Sequence, residues 1–474
     1  MIKLKNKYDV IVIGSGPSGC ACAIRSAQLG LKTLCIDNLS LGNSKKAASG
    51  IFTNAGCLAT VTLLESAKLY ESVVNNINSH GINVENVSFD ARKMVQRKET
   101  ILNLINLQTA KQFNDYKIDF INASAKLLKP HVVEIISPTP KTITSEAIVL
   151  ATESNPISIP CAVVDNEFIL DATAALNLIE VPKRLAILGA GVAGLELAGI
   201  WNRLGAETIL LDAQETFLSL ADHQISREAY KIFTEQGLEL RLGTRVISTK
   251  IINKKVLVEY QDSEGSHAIR VDKLIVASGR KPNSDNIAAP EANLLLDENG
   301  YVHVNEKYRT NLPNVYAIGD LTLLGPMLAH KGLAEGYFVA EQIAGIKSLP
   351  INYGAMPNII YTEPEIAWVG QTEQSIKSIG DPVKIGLFPL TMNPKAVSRN
   401  KSKGIIKIIS CVETDVILGV HIIASDASEL IAEATLAMEF SANNEDIIRT
   451  IHSYPSFIEA IRDACRSIEK LKTV

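Results

Sequence analysis

The 474-residue chain has no run of apolar residues long enough to cross a bilayer, so no helical membrane span is expected. It also lacks a charge excess: 47 Lys and Arg face 51 Asp and Glu, which leaves nothing to draw it to nucleic acid or to an anionic membrane surface. Cysteine is sparse and scattered (Cys20, Cys22, Cys35, Cys57, Cys161, Cys411, Cys465), odd in number and without zinc-type spacing. That pattern suits a reducing, cytoplasmic compartment, and no metal site is expected. Lys3, Lys5 and Lys7 precede only four apolar residues before glycines intervene, too few for the apolar core of a signal peptide. Low-complexity segments and short repeats are missing too. What remains is a soluble chain long enough for about three domains.

The chain is organised around its first forty residues. Val10 to Ile13 read as a buried strand, Gly14-Ser-Gly16-Pro-Ser-Gly19 as the turn after it, and Cys20 to Leu29 as the helix that the turn opens. Thr33 to Ile36 read as the next parallel strand, with Asp37 at its end. This is a dinucleotide fingerprint: Gly14 for the tight turn, Gly16 for close approach of the backbone to a pyrophosphate, Gly19 for helix packing, Asp37 for a ribose hydroxyl. The diphosphate would lie on the helix N-terminus, where unsatisfied amides and the helix dipole favour an anion.

An amphipathic helix is expected around Leu63 to Val73, a second from about Phe89 to Phe113, and short strands from Ile118 to Val149. Residues 153 to 184 read as proline-rich and irregular, and then the motif returns. Leu185 to Leu188 form a strand, Gly189-Ala-Gly191-Val-Ala-Gly194 the turn, Leu195 to Leu204 a helix, and Thr208 to Leu211 a strand ending at Asp212. Two such units imply two dinucleotides. Asp212 would hold an adenosine 2′-hydroxyl and repel a 2′-phosphate, and no arginine follows it in Ala213, Gln214 and Glu215, so NAD(H) is favoured over NADP(H). This unit closes on a buried strand and a glycine turn, Leu274 to Gly279. A third strand reaches a Gly-Asp turn at Gly319-Asp320, and from about Ile351 an α+β pattern without a cofactor motif takes over.

Two fingerprints, the Gly-Asp strand and a separate C-terminal domain resemble the flavoprotein disulfide reductases, and among them the dihydrolipoamide dehydrogenase group. The likeness rests further on Gly325-Pro-Met-Leu-Ala-His-Lys331, on Tyr361-Thr-Glu-Pro-Glu-Ile-Ala-Trp-Val-Gly370, on Ile417-Leu-Gly-Val-His-Ile-Ile423, and on Ala427-Ser-Glu-Leu-Ile-Ala-Glu433. It implies an α/β fold of two Rossmann-like domains, for FAD and NAD, plus a C-terminal α+β dimerisation domain. FAD would take residues 1–150 and 281–346, NAD(H) residues 151–280, and the homodimer contact residues 347–474. By the same resemblance the first fingerprint and Asp320 bind FAD, Met327, Leu328 and Ala329 lie against the flavin, and Glu196 lies near the nicotinamide.

The departures from that family are concentrated. It places two cysteines with four residues between them; here the second is Cys57, and the first position holds Phe52. A disulfide needs two sulfurs in bonding contact, and dithiol oxidation proceeds by exchange through such a pair. The family's lysine four residues later is Val61, which cannot pair with Glu196. Its C-terminal His-x-His-Pro reads His452-Ser-Tyr454-Pro455, although Glu459, which would orient the second histidine, remains. A phenol is a poor proton acceptor near neutrality. Finally, the family's Ala-Thr-Gly after the first half-domain is Ala151-Thr152-Glu153, at a point of FAD contact. Cys465 lies six residues past Glu459 in an apparent helix, about 240° round, and so faces elsewhere. Three readings of function follow. One is an NADH-dependent FAD enzyme whose acceptor is not lipoamide, with Cys57 either reactive or an inert buried thiol. Another is a non-catalytic structural or regulatory flavoprotein dimer serving a lipoylated protein or 2-oxoacid dehydrogenase complex. The third, true dihydrolipoamide dehydrogenase activity, would need a replacement sulfur, for which Cys465 is the late candidate.

Overall fold

The computed structural model describes residues 7–38, 56–136 and 140–470. Contacts divide them into two compact units. One takes the described residues up to Ala59, then Arg97–Ile157 and Gly279–Ile351; the other takes Thr60–Gln96, Ser158–Ser278 and the described residues from Asn352.

In the first unit, β1 (Lys7–Ile13) is followed by α1 (Pro17–Gln28) and β2 (Thr33–Asp37). The helices α2 (Cys57–Asn75) and α3 (Ala91–Asp115) lead to β3 (Asp119–Asn122), β4 (Ala125–Lys129), β5 (Val132–Ile135) and β6 (Lys141–Leu150). The strand order is β3-β2-β1-β6-β5-β4. β1 pairs in parallel with β2 (Val10 opposite Thr33) and with β6 (Val10 opposite Ala147). Alternation decides the burial: Ile11 and Ile13 enter one apolar cluster, Val10 and Val12 another on the opposite face. Both faces are thus covered, as a parallel sheet requires.

The stretch expected to be irregular contributes structure of its own, a correction to the sequence reading. It contains β7 (Ser154–Pro156), β8 (Ile169–Leu170) and the short α4 (Ala172–Ala175). In the second unit β9 (Arg184–Leu188), α5 (Val192–Arg203), β10 (Glu207–Leu211), α6 (His223–Glu235) and β11 (Glu239–Arg241) form the second dinucleotide fold. An antiparallel meander, β12 (Arg245–Ile252), β13 (Lys255–Asp262) and β14 (Gly265–Val271), precedes β15 (Lys273–Val276). The parallel order is β11-β10-β9-β15-β8, so β8 forms an edge.

The chain then returns to the first unit, where β16 (Arg280–Pro282) pairs with β7 and β17 (Val315–Ala317) pairs with β6. α7 (Ala329–Ile343) packs on α1 through small residues. A Cβ on Gly336 would lie 2.5 Å from the Ser18 carbonyl oxygen and 2.9 Å from the Cys22 amide nitrogen. The C-terminal part of the second unit is a five-stranded antiparallel sheet, β18 (Asn358–Ile360), β19 (Glu365–Gly370), β20 (Val383–Pro389), β21 (Ile405–Cys411) and β22 (Ile417–Ala424). The helices Ala427–Glu439 and Glu459–Lys470 close its core. Cys465 is fully buried in that core, and burial pushes its thiol up to about 12.

Candidate dinucleotide sites and the thiol–base region

The two glycine turns are built alike. Gly14 has φ +109° and Gly189 φ +105°, a region open to glycine and strained for any side chain. A Cβ on Gly14 would overlap the Ala151 carbonyl, and one on Gly189 the Ala277 carbonyl. Gly19 and Gly194 lie against the carbonyls of Gly14 and Gly189, which brings each helix close to its strand. The acid after the second strand is fixed by the turn in both. Asp37 accepts from the Ser15 amide (2.7 Å) and hydroxyl (2.6 Å), while Asp212 accepts from the amides of Ala190 (2.6 Å) and Gln214 (2.8 Å).

The first turn opens onto a cleft of about 540 Å³ whose lining includes Gly14, Gly16, Asp37, Ser124, Glu153 and Asn283. Asp320 accepts from the Ser154 hydroxyl (2.5 Å), which in turn accepts from the Arg280 guanidinium (2.7 Å). Gly319 carries φ +70° and is clamped by a fully buried ion pair. Its amide donates to Glu335 (2.6 Å), its carbonyl accepts from Lys331 (2.8 Å), and the two side chains lie 3.4 Å apart. Sequence reasoning passed over this pair, because a Lys and a Glu four apart read equally well as a solvated helix face. Met327, Leu328 and Ala329 are half-buried at the start of α7. The turn, the helix N-terminus, Asp37 and the Gly319-Asp320 turn fit an FAD nucleotide; one side chain does not. Glu153, with φ +62°, has its carboxyl where a Cβ on Gly16 would fall. Its burial, with Asp320 and Asp37 adding repulsion, pushes it up to about 7.

Glu196 is buried in α5 and accepts from the Tyr361 amide (3.0 Å). Burial pushes this carboxyl up to about 7, against the pull of that amide and of Lys68. Val61 supplies no charge, but Lys68 lies seven residues later on α2. It pairs with Glu363 (3.4 Å) and Glu365 (3.6 Å), a group that the sequence reading missed.

Cys57 is the first residue of α2 and is exposed, which removes the reading of it as a buried thiol. Phe52 lies outside the described residues. Tyr454 is 76% exposed. Glu459 is already engaged, accepting from the Ser456 amide (3.0 Å) and from Arg462 (3.2 Å). His452 lies 2.8 Å from Glu433 and 2.9 Å from the Thr450 carbonyl. Cys20, Cys22 and Cys35 are buried, their thiols raised by desolvation. Among the described residues no group of three or more His, Cys, Asp or Glu could hold a metal, and no helix is long and apolar enough to cross a membrane.

Residues 8–336 match the pyridine nucleotide-disulphide oxidoreductase family, and residues 356–465 match its dimerisation domain, which supports a homodimer. A dihydrolipoyl dehydrogenase of Cupriavidus necator is 39% identical over 98% of this chain and 99% of its own. The mitochondrial dihydrolipoyl dehydrogenase of Pisum sativum is 34% identical over 97% and 91%. LpdA from Mycobacterium tuberculosis superposes with a TM-score of 0.88 at 24% identity, covering 97% of this chain and 99% of its own. The HOCl-induced flavoprotein disulfide reductase RclA from Escherichia coli, as a Cu(II) complex, does so with 0.86 at 24%, covering 98% and 99%. At that identity the two structures speak for the fold alone. Members of the family use FAD and NAD(H), and this chain, with both fingerprints intact, belongs to the dihydrolipoyl dehydrogenase-like flavoprotein disulfide reductases.

Proposed function

We propose that the chain is an FAD flavoprotein that accepts hydride from NADH and passes electrons to an acceptor other than lipoamide. The observation that carries this is in the sequence: both dinucleotide turns are whole, while Phe52 stands where the family's first redox cysteine would be. Bound FAD would supply two-electron transfer between NADH and the acceptor. The protein's own part is to hold the two nucleotides, through Gly14, Gly16, Gly19, Asp37 and Asp320 on one side and Gly189, Gly191, Gly194, Asp212 and Gly279 on the other. Glu196 would sit beside the nicotinamide. Cys57, exposed at the head of α2, would react with a sulfur or peroxide acceptor through its one thiol.

A second reading is the non-catalytic dimer attached to a lipoyl-dependent complex, which the sequence reading took as a flavoprotein; the Glu153 carboxyl against Gly16 favours a form of it without flavin. One experiment separates the two. The purified full-length protein, supplied with excess FAD at pH 6, where Glu153 is protonated, should show a flavin spectrum that bleaches on anaerobic addition of NADH. A protein that stays colourless in the presence of FAD would refute the oxidoreductase reading and leave the second.

A further inference from the structure

The two glycine turns are built alike, but the residues after their closing strands differ. After its closing strand the second continues Ala277-Ser278-Gly279, with Gly279 at φ +115°, and nothing stands within 4 Å of a Cβ built on Gly191. The first continues Ala151-Thr152-Glu153, again with positive φ, and the side chain of Glu153 fills the space in front of Gly16. That space is where this kind of turn admits a diphosphate, since the second glycine is there to let the anion approach the backbone. Left-handed backbone also disfavours any side chain at residue 153, so Glu is doubly out of place.

We infer that Glu153 is a proton-coupled brake on dinucleotide binding in this cleft: the diphosphate enters when the carboxyl is protonated or removed, and is repelled when it is ionised. This rests on the reading of the cleft as an FAD site. The groups around Glu153 agree with it. Asp37 at the end of β2 and Asp320 after β17 repel its negative form, Asp285 lines the same cleft, and Arg280 on β16 and the amide end of α1 attract it. From α1, Cys20 faces it as a neutral thiol, since burial raises that group well above its ordinary range. With its own titration near pH 7, the change of charge falls inside the physiological range. Ionised Glu153 and a diphosphate cannot share the cleft without unfavourable charge, so binding takes up a proton. Affinity should then fall as pH rises through and beyond 7, by at most tenfold per pH unit for one proton.

The test uses full-length protein dialysed free of nucleotide and titrated with FAD between pH 5.5 and 8.5, followed by flavin fluorescence and by calorimetry. Wild type should lose affinity above pH 7. Glu153→Gln, neutral and nearly the same size, should bind with no pH dependence over this range, and Glu153→Gly should bind at pH 8 at least tenfold more tightly than wild type. Proton uptake, measured as buffer-dependent heat, should accompany binding to wild type only. A flat wild-type profile, an equal slope in Glu153→Gln, or Glu153→Gly no tighter than wild type would each overturn the inference while leaving the FAD reading intact. No binding by any of the three proteins at any pH would overturn both.

Discussion

Glu196 shows how one buried acid ties stability to pH. Burial raises its carboxyl from 4.5 to about 7, so the folded protein retains a proton that the unfolded chain has released. The sign follows: this stabilisation is fully present below pH 4.5 and is lost as pH rises through 7. The loss is roughly 3 kcal/mol for a shift of this size, and Glu153 contributes in the same direction. Glu196→Gln should therefore reduce the fall in urea midpoint between pH 5 and pH 8 without abolishing it. An unchanged fall would place the responsible titration elsewhere. At this scale the sequence is uneven in what it discloses. Phe52, Val61 and Tyr454 are proposed as replaced groups because fixed spacing makes such a change conspicuous in the sequence. Lys331 and Glu335 are not, because i,i+4 spacing says nothing about whether that face meets solvent or the Gly319 turn.

Among the elements, α1 and α7 depend on the absence of side chains between them. Ser18 and Cys22 on one helix face Gly332 and Gly336 on the other, with the Ser18 Cβ nearest Gly332 and backbone atoms nearest Gly336. Gly336→Ala gains helix propensity, worth about 1 kcal/mol. Against that, the new methyl must displace the backbone of α1, and overpacking of this kind typically costs about 1–3 kcal/mol. The expected outcome is a net loss of stability in chemical denaturation, together with weaker FAD retention, since α1 carries the turn at Gly16. A variant as stable as wild type would mean that the helices can separate freely. Strands and helices with strong periodicity, such as β1, α1, β9 and α5, were legible to within a few residues. β8 was not: two residues carry no alternation, and Ile169–Leu170 become a strand only because β15 offers an edge. The meander β12–β14 likewise left no motif to read.

At the scale of the whole molecule, the chain has the fold and family of the dihydrolipoyl dehydrogenases, and the proposed function differs from theirs in the reaction alone. On the proposed function, Phe52 and Tyr454 would block different steps of dihydrolipoamide oxidation: Phe52 would remove the sulfur that accepts the substrate thiolate, and Tyr454 the base that generates it. Wild type should thus show negligible dihydrolipoamide-dependent NADH formation. Phe52→Cys alone should create a reducible pair with Cys57 and only slow turnover, because loss of a general base typically costs about 10²–10⁴-fold. Adding Tyr454→His should raise that turnover, but less than the full factor. Glu459, proposed to orient that imidazole, is held by the Ser456 amide and by Arg462 and would have to give up one of them. Val61→Lys, as a third change, acts on electron transfer at the nicotinamide side, where Glu196 is buried and Lys68 is committed to Glu363 and Glu365. It should therefore alter the rate of flavin reduction by NADH in stopped flow more than it alters the thiol step. Steady-state assays of wild type and the single, double and triple variants, with FAD supplied in excess, separate these contributions. Substantial wild-type turnover that persists in Cys57→Ser would show that the thiol chemistry lies on other residues.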